Sequence, residues 1–143
     1  MAVVKAVCVS GKKGTIKTPV AEITLRAMYG IEGDAHAGDW HRQVSLLGAE
    51  SVDKLRQALP GLSPGVFAEN ILTEGLKLYE LPVGTRLRVG CALLEITQIG
   101  KECHADCEIK VKTGDCVMPR EGVFAIVIEG SVVRAGDAVV VEN

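Results

Sequence analysis

Two cysteines and a histidine fall within five residues in the segment GKECHADCEIK, as Cys103, His104 and Cys107. A thiolate is both a nucleophile and a soft metal ligand, so this segment could hold a metal, form a disulfide or carry reactive sulfur. A structural zinc site takes about four ligands, usually as two close pairs. Here the second pair is missing, and the adjacent Cys103 and His104 are poorly placed to reach one ion. An iron–sulfur cluster needs a further cysteine at close spacing. A thioredoxin-type pair needs two intervening residues in a βαβ setting, whereas three separate Cys103 from Cys107. What is left beside these is a reactive thiol at Cys103. Lys101 stands two residues before it and His104 directly after, and nearby positive charge favours the thiolate. A reversible Cys103–Cys107 bond stays open, as does simple burial, because free cysteine is among the most buried residue types. By that rule Cys8, inside an apolar run, and Cys91, which opens another, read as buried and inert.

A second cluster lies in GIEGDAHAGDWHRQ, which sets Glu32, Asp34, His36, Asp39, His41 and Arg42 among three glycines. His36 and His41 with the acids could bind a metal of mixed nitrogen and oxygen preference. Alternatively, a glycine-rich loop wraps an anion with backbone N–H groups, and Arg42 adds a forked donor. The plain alternative is a solvated loop of turn residues. In FAENILTEG, Glu69 and Asn70 interrupt an apolar stretch. Buried polar groups need partners, so the pair either fastens a turn or touches a ligand.

The elements that must position these residues are mostly strands. AVVKAVCVS reads as one, VAEITLR as a second extended segment and VSLLG as a third. Thr85, Leu87 and Val89 alternate with Arg86 and Arg88, the period of a half-buried strand. CALLEITQIG, GVFAIVIEG and SVVRAGDAVVVEN supply more. The best helix is Ala49 to Leu59, with Val52, Leu55 and Leu59 on one face and Pro60-Gly61 ending it. Regular βαβ alternation is absent, which argues against a doubly wound parallel sheet. The expected fold is mainly β: a closed or barrel-like, mostly antiparallel sheet with a few packed helices, as one domain over residues 1–143.

Composition narrows the function. A net charge of −2 and only five aromatic residues offer neither a basic field nor a stacking platform for nucleic acid. No apolar run approaches the ~20 residues that span a bilayer, and the N-terminus lacks the pattern of a signal peptide. The reading is a cytoplasmic protein with no nucleic-acid or membrane partner. Five cysteines, an odd number, suit thiols, ligands or catalytic groups better than a disulfide framework.

Taken in order, GIEGDAHAG…HRQVSLL, PGVFAENILTEG, LPVGTRLRVG, GKECH and GVFAIVIEGSVVRAGDAV resemble the MOSC domain, named for the C-terminal domain of molybdenum cofactor sulfurases. The likeness runs from about Val4 to Val141 and is to the stand-alone prokaryotic type. It implies a β-barrel fold of the MOSC and pyruvate-kinase barrel kind. It implies a sulfur-carrier or cofactor-handling module for the molybdenum or tungsten cofactor, a molybdopterin, using a reactive cysteine. Some members reduce N-hydroxylated compounds with that cofactor. A zinc-held binding module without catalysis is the rival from another class. The matching cysteine is Cys103, with Lys101 and His104 beside it. Asp34, His36, Arg42, Glu69, Asn70 and Lys101 fall at matching motif positions as candidates to line the pocket. Cys107 and Cys116 depart from the one-cysteine pattern. No pyridoxal phosphate site is evident, so sulfur would come from a partner such as a cysteine desulfurase, and a molybdoenzyme would be a natural recipient.

Overall fold

A computed structural model of the chain describes residues 2–13, 15–56, 62–100 and 118–142. Lys101, Cys103, His104, Cys107, Cys116 and the end of the expected helix at Leu59 lie outside the described residues. The strands are β1 (Ala2–Val9), β2 (Thr18–Val20), β3 (Glu22–Arg26), β4 (Gly30–Ile31), β5 (Val44–Gly48), β6 (Ile71–Glu74), β7 (Arg86–Val89), β8 (Ala92–Ile99), β9 (Val123–Glu129), β10 (Ser131–Arg134) and β11 (Ala138–Glu142). Two helical pieces, α1 (Ala49–Arg56) and α2 (Met118–Glu121), and a 3-10 turn at Leu78–Glu80 accompany them.

Seven strands close a mixed barrel in the order β11-β7-β8-β9-β5-β6-β1, shut by the antiparallel pairing of β1 with β11. Closure removes the unpaired edges that an open sheet would present. All pairings around the barrel are antiparallel except β5–β6. That parallel pair is joined through α1, as a parallel connection requires a crossover. β2 extends β1 as an edge strand, a place that tolerates Pro19. The expected single segment VAEITLR is therefore split: β2 pairs with β1, while β3 joins β10 and β4 in a separate three-stranded sheet.

Strand periodicity explains the interior. In β7, Leu87 and Val89 are buried between the outward Arg86 and Arg88. In β1 a register shift between Val4 and Ala6 breaks strict alternation, so Val4 and Val7, three residues apart, both join the barrel interior, while Cys8 is buried on the opposite face. Val7, Leu46, Ile71, Leu94, Ile96 and Val127 help fill the barrel. A second apolar cluster, with Leu47, Val52, Phe67, Leu72 and Phe124, packs outside it under α1. β5 is buried along its whole length because it is covered on both faces. The expectation for Cys91 is corrected: it stands exposed at the turn between β7 and β8, whereas Cys8 is buried. The turn residue Gly90, just before it, has a φ of 58° that carries the chain out of the apolar layer.

Candidate functional site

The glycine-rich loop between β4 and β5 is clamped to three strands. The Ala35 N–H donates to the Ser10 carbonyl at 2.8 Å, just past the end of β1. The Gln43 side-chain oxygen accepts the Val127 N–H of β9 at 3.0 Å. The His41 ring meets the Gln98 side-chain oxygen of β8 at 2.8 Å, and the Thr97 hydroxyl donates to the His41 carbonyl. Gly30 has to be glycine: its φ is 122°, and a Cβ would stand 3.0 Å from the Gln43 carbonyl oxygen.

At the β1 end of this loop sits a buried ion pair. Lys17 Nζ lies 2.7 Å from Asp34 Oδ1, and neither side chain is exposed. Asp34 also accepts the backbone N–H groups of Ser10 at 3.1 Å and His36 at 3.0 Å. Burial alone would raise the Asp34 carboxyl, but contacts with His36 and Lys17 and the Ser10 N–H outweigh it and hold the group well below the usual carboxylate range. Burial pulls the Lys17 ammonium below its ordinary value, against the opposing pull of Asp34.

Lys17 is held from its other side by the Pro64-Gly65 turn. Its N–H donates to the Gly65 carbonyl at 2.9 Å. Glu69, buried, fastens that turn by accepting the Gly65 N–H at 2.8 Å and the Phe67 N–H at 3.2 Å. Burial pushes its carboxyl up, partly offset by these N–H donors. Asn70 ties three strands: its Oδ1 accepts the Ser45 N–H of β5 and its Nδ2 donates to the Cys8 carbonyl of β1, both at 3.0 Å, directly before β6 begins. The Cys8 thiol is pushed up to about 12 by burial and by the nearby Glu69 charge, so it is no nucleophile.

Trp40 organises the outward-facing part. The Arg42 guanidinium carbon lies 4.7 Å from the Trp40 ring centre and 5.5 Å from that of Phe124. Lys13 Nζ lies 4.9 Å from the Trp40 ring centre. The His36 ring is parallel to the indole within 6°, with centroids 6.3 Å apart, and His41 meets the indole edge-on. Arg42 Nε is buried and has no hydrogen-bond partner among the described residues. No group of three or more His, Cys, Asp or Glu side chains among the described residues is arranged to hold a metal ion.

The predicted residues thus separate into two sets. Asp34, Glu69 and Asn70 are buried and turned onto the protein's own polar groups. His36 and Arg42 are partly exposed beside Trp40. Sequence reading missed Lys13, Lys17 and Trp40. A lone tryptophan between two histidines in a glycine-rich loop was a usable signal, whereas nothing in the IKTP context marks Lys17 as buried.

The fold and loop define a closed mixed barrel with a cationic, aromatic surface on a clamped glycine-rich loop. The sequence matches the MOSC domain over residues 33–140, and the chain belongs to that family, which is linked to molybdenum cofactor binding or sulfuration. No significant match is found among curated protein sequences. Among solved structures, the chain is similar to the YuaD protein from Bacillus subtilis, with a TM-score of 0.80 and 18% identity over 97% of this chain and 94% of that one. YiiM from Geobacillus stearothermophilus has a TM-score of 0.76 and 19% identity, covering 100% of this chain and 76% of that one. YiiM from Escherichia coli has a TM-score of 0.69 and 20% identity over 99% and 70%. At these identities the likeness is one of fold. Among the described residues no helix is long and apolar enough to cross a membrane.

Proposed function

We propose that this protein handles the molybdenum or tungsten cofactor, carrying sulfur on Cys103 and receiving the cofactor's anionic part at Arg42, Lys13 and His36 around Trp40. The carrying observation is Arg42, whose guanidinium lies over two rings while its buried Nε has no acceptor among the described residues. An unmatched buried donor is costly, by about 1–3 kcal/mol, and an incoming anion relieves that cost. A phosphate-bearing pterin fits this donor set, since guanidinium and ammonium groups recognise phosphate and an indole face offers a stacking surface. Bound there, the cofactor would supply a metal centre able to accept sulfur.

The sulfur step is placed on the segment that leaves β8 at Gly100. His41 contacts Gln98, and Gln98 Nε2 donates to the Gly100 carbonyl at 2.7 Å, so the loop and the departure point of that segment are tied together. The Cys103 thiolate attacks the outer sulfur of a donor persulfide. A new S–S bond forms at Cys103, the donor's S–S bond breaks, and the donor leaves as a thiolate. A cysteine desulfurase is the fitting donor and a molybdoenzyme the fitting recipient.

The test is intact-mass analysis of the full chain after incubation with a cysteine desulfurase and cysteine. The wild type gains the mass of one sulfur atom, which reductant removes, and Cys103→Ala gains none. A wild type that takes up no sulfur, or a variant that takes up as much, defeats the carrier role.

A further inference from the structure

We propose that Lys17 is a positioning residue that locks His36 in the tautomer with its proton on Nε2, and so presents an Nε2–H donor to a ligand oxygen beside Trp40. An ammonium group has three N–H donors and no acceptor. Lys17 Nζ has three neighbours that can accept: Ser10 Oγ at 3.2 Å, Asp34 Oδ1 at 2.7 Å and His36 Nδ1 at 3.1 Å. The Lys17 side chain has no exposure, so bulk water offers no substitute. Ser10 directs its own hydroxyl proton to the Lys12 carbonyl at 2.9 Å, which leaves its lone pairs for Lys17. Donors and acceptors match only if Nδ1 of His36 is bare.

A proton on Nδ1 would face an ammonium proton. The carboxylate is a weaker acceptor for it than Lys17 is a donor, because Asp34 Oδ2 lies 3.7 Å from Nδ1, within ion-pair range but beyond hydrogen-bond distance, whereas Lys17 Nζ lies at 3.1 Å. An imidazole with a bare Nδ1 carries its proton on Nε2. The ring plane is set as well, by the parallel Trp40 indole, whose Nε1–H donates to the His36 carbonyl at 2.7 Å. Nε2 has no partner among the described residues, and the side chain is 24% exposed, so this donor is open to a ligand. With Lys13 over the same indole, the acceptor it suits is an anionic oxygen of a phosphate or metal oxyanion. The proposal rests on the cofactor-handling reading only for the source of that oxygen; the tautomer does not depend on sulfur transfer at Cys103.

The test is ¹⁵N NMR of the histidine rings in the full chain, with His36 assigned by comparing single His41→Gln and His104→Gln variants. The expected wild-type spectrum has an unprotonated, hydrogen-bonded Nδ1 and a protonated Nε2, and inorganic phosphate or molybdate shifts the Nε2 signal. In the double variant Lys17→Met/Asp34→Asn, which removes both buried charges together, the preference for Nε2–H falls about tenfold, the scale of a hydrogen bond to a charged group. Should that variant fail to fold, Ser10→Ala in its place is expected to retain the wild-type tautomer, since Asp34 and His36 still hold Lys17. A wild-type His36 protonated on Nδ1, or a tautomer indifferent to loss of Lys17, overturns the positioning role. A His36 ring that responds to neither anion overturns the donor role. Neither result depends on whether Cys103 takes up sulfur.

Discussion

Removing Lys17 alone should be far more damaging than removing Lys17 and Asp34 together. At 2.7 Å, two unit charges attract by about 6 kcal/mol at an effective dielectric near 20. Burying both ions costs several kcal/mol each, so the intact pair contributes little net stability. Lys17→Met leaves the Asp34 carboxylate buried with only the Ser10 and His36 N–H donors, and breaking a buried pair this way costs about 3–5 kcal/mol. Lys17→Met/Asp34→Asn leaves no charge behind and keeps an acceptor for the Ser10 N–H. It should recover most of that loss, giving a coupling energy of about 2–3 kcal/mol. Urea denaturation reads this directly: with a slope of about 2 kcal/mol per molar, Lys17→Met lowers the midpoint by roughly 1.5–2.5 M. Protonation gives a second readout. Because the folded Asp34 carboxyl is held below its unfolded value of about 3.9, its contribution is fully present above that pH. It is lost as pH falls below that value toward the folded one, and the double variant lacks this acid loss. If Lys17→Met costs under about 1 kcal/mol, or the two single effects simply add, the ion pair is not what holds this end of the loop.

Gly65→Ala should be costly, because φ is 88° and the new Cβ would stand 2.0 Å from the Lys17 carbonyl oxygen; at least about 2 kcal/mol is expected, or about 4–8 °C in Tm. Gly33→Ala, with φ 81° but open space around the Cβ, should cost only about 1 kcal/mol; equal losses for the two would remove the close-approach explanation. Alkylation at pH 8 followed by peptide mapping should label Cys91 and spare Cys8, whose thiol is buried and pushed up to about 12; rapid labelling of native Cys8 would contradict that burial. Arg42→Met should weaken binding of inorganic phosphate or molybdate about tenfold in calorimetry without lowering the urea midpoint, and unchanged affinity would take Arg42 out of the anion site.

The barrel was legible where alternation is strict. β7 announces itself through Leu87 and Val89 against two arginines, and the predicted closed, mostly antiparallel sheet is the one observed. The split of VAEITLR was not legible, since no glycine marks it and Pro19 belongs naturally to an edge strand. The parallel β5–β6 pair was hidden because it needs the strand–helix–strand unit VSLLG, α1 and NILTE to be read as one crossover. Cys91 misled because an apolar run follows it, yet the preceding Gly90 turns the chain outward there. At the site, residue type pointed to His36, Arg42 and Asp34, but nothing local reveals a buried lysine, which is rare and depends on a partner 17 residues away.

Those geometric facts divide the polar residues by the direction of their hydrogen bonds. Glu69, Asn70 and Asp34 spend their acceptors on backbone N–H groups and on Lys17, so their substitution acts on stability first. They support the outward-facing residues from behind: Glu69 sets the turn against the buried Lys17, and Asp34 sets Lys17 against His36. Asn70 ties β1, which ends beside Ser10, to β5, which begins two residues after Arg42. A family motif that contains both sets reads in sequence as one pocket lining. In three dimensions it is an outer layer of His36, Arg42, Lys13 and Trp40 carried on an inner polar frame. Loss of anion binding without loss of stability therefore assigns a residue to the outer layer, and the reverse order assigns it to the frame.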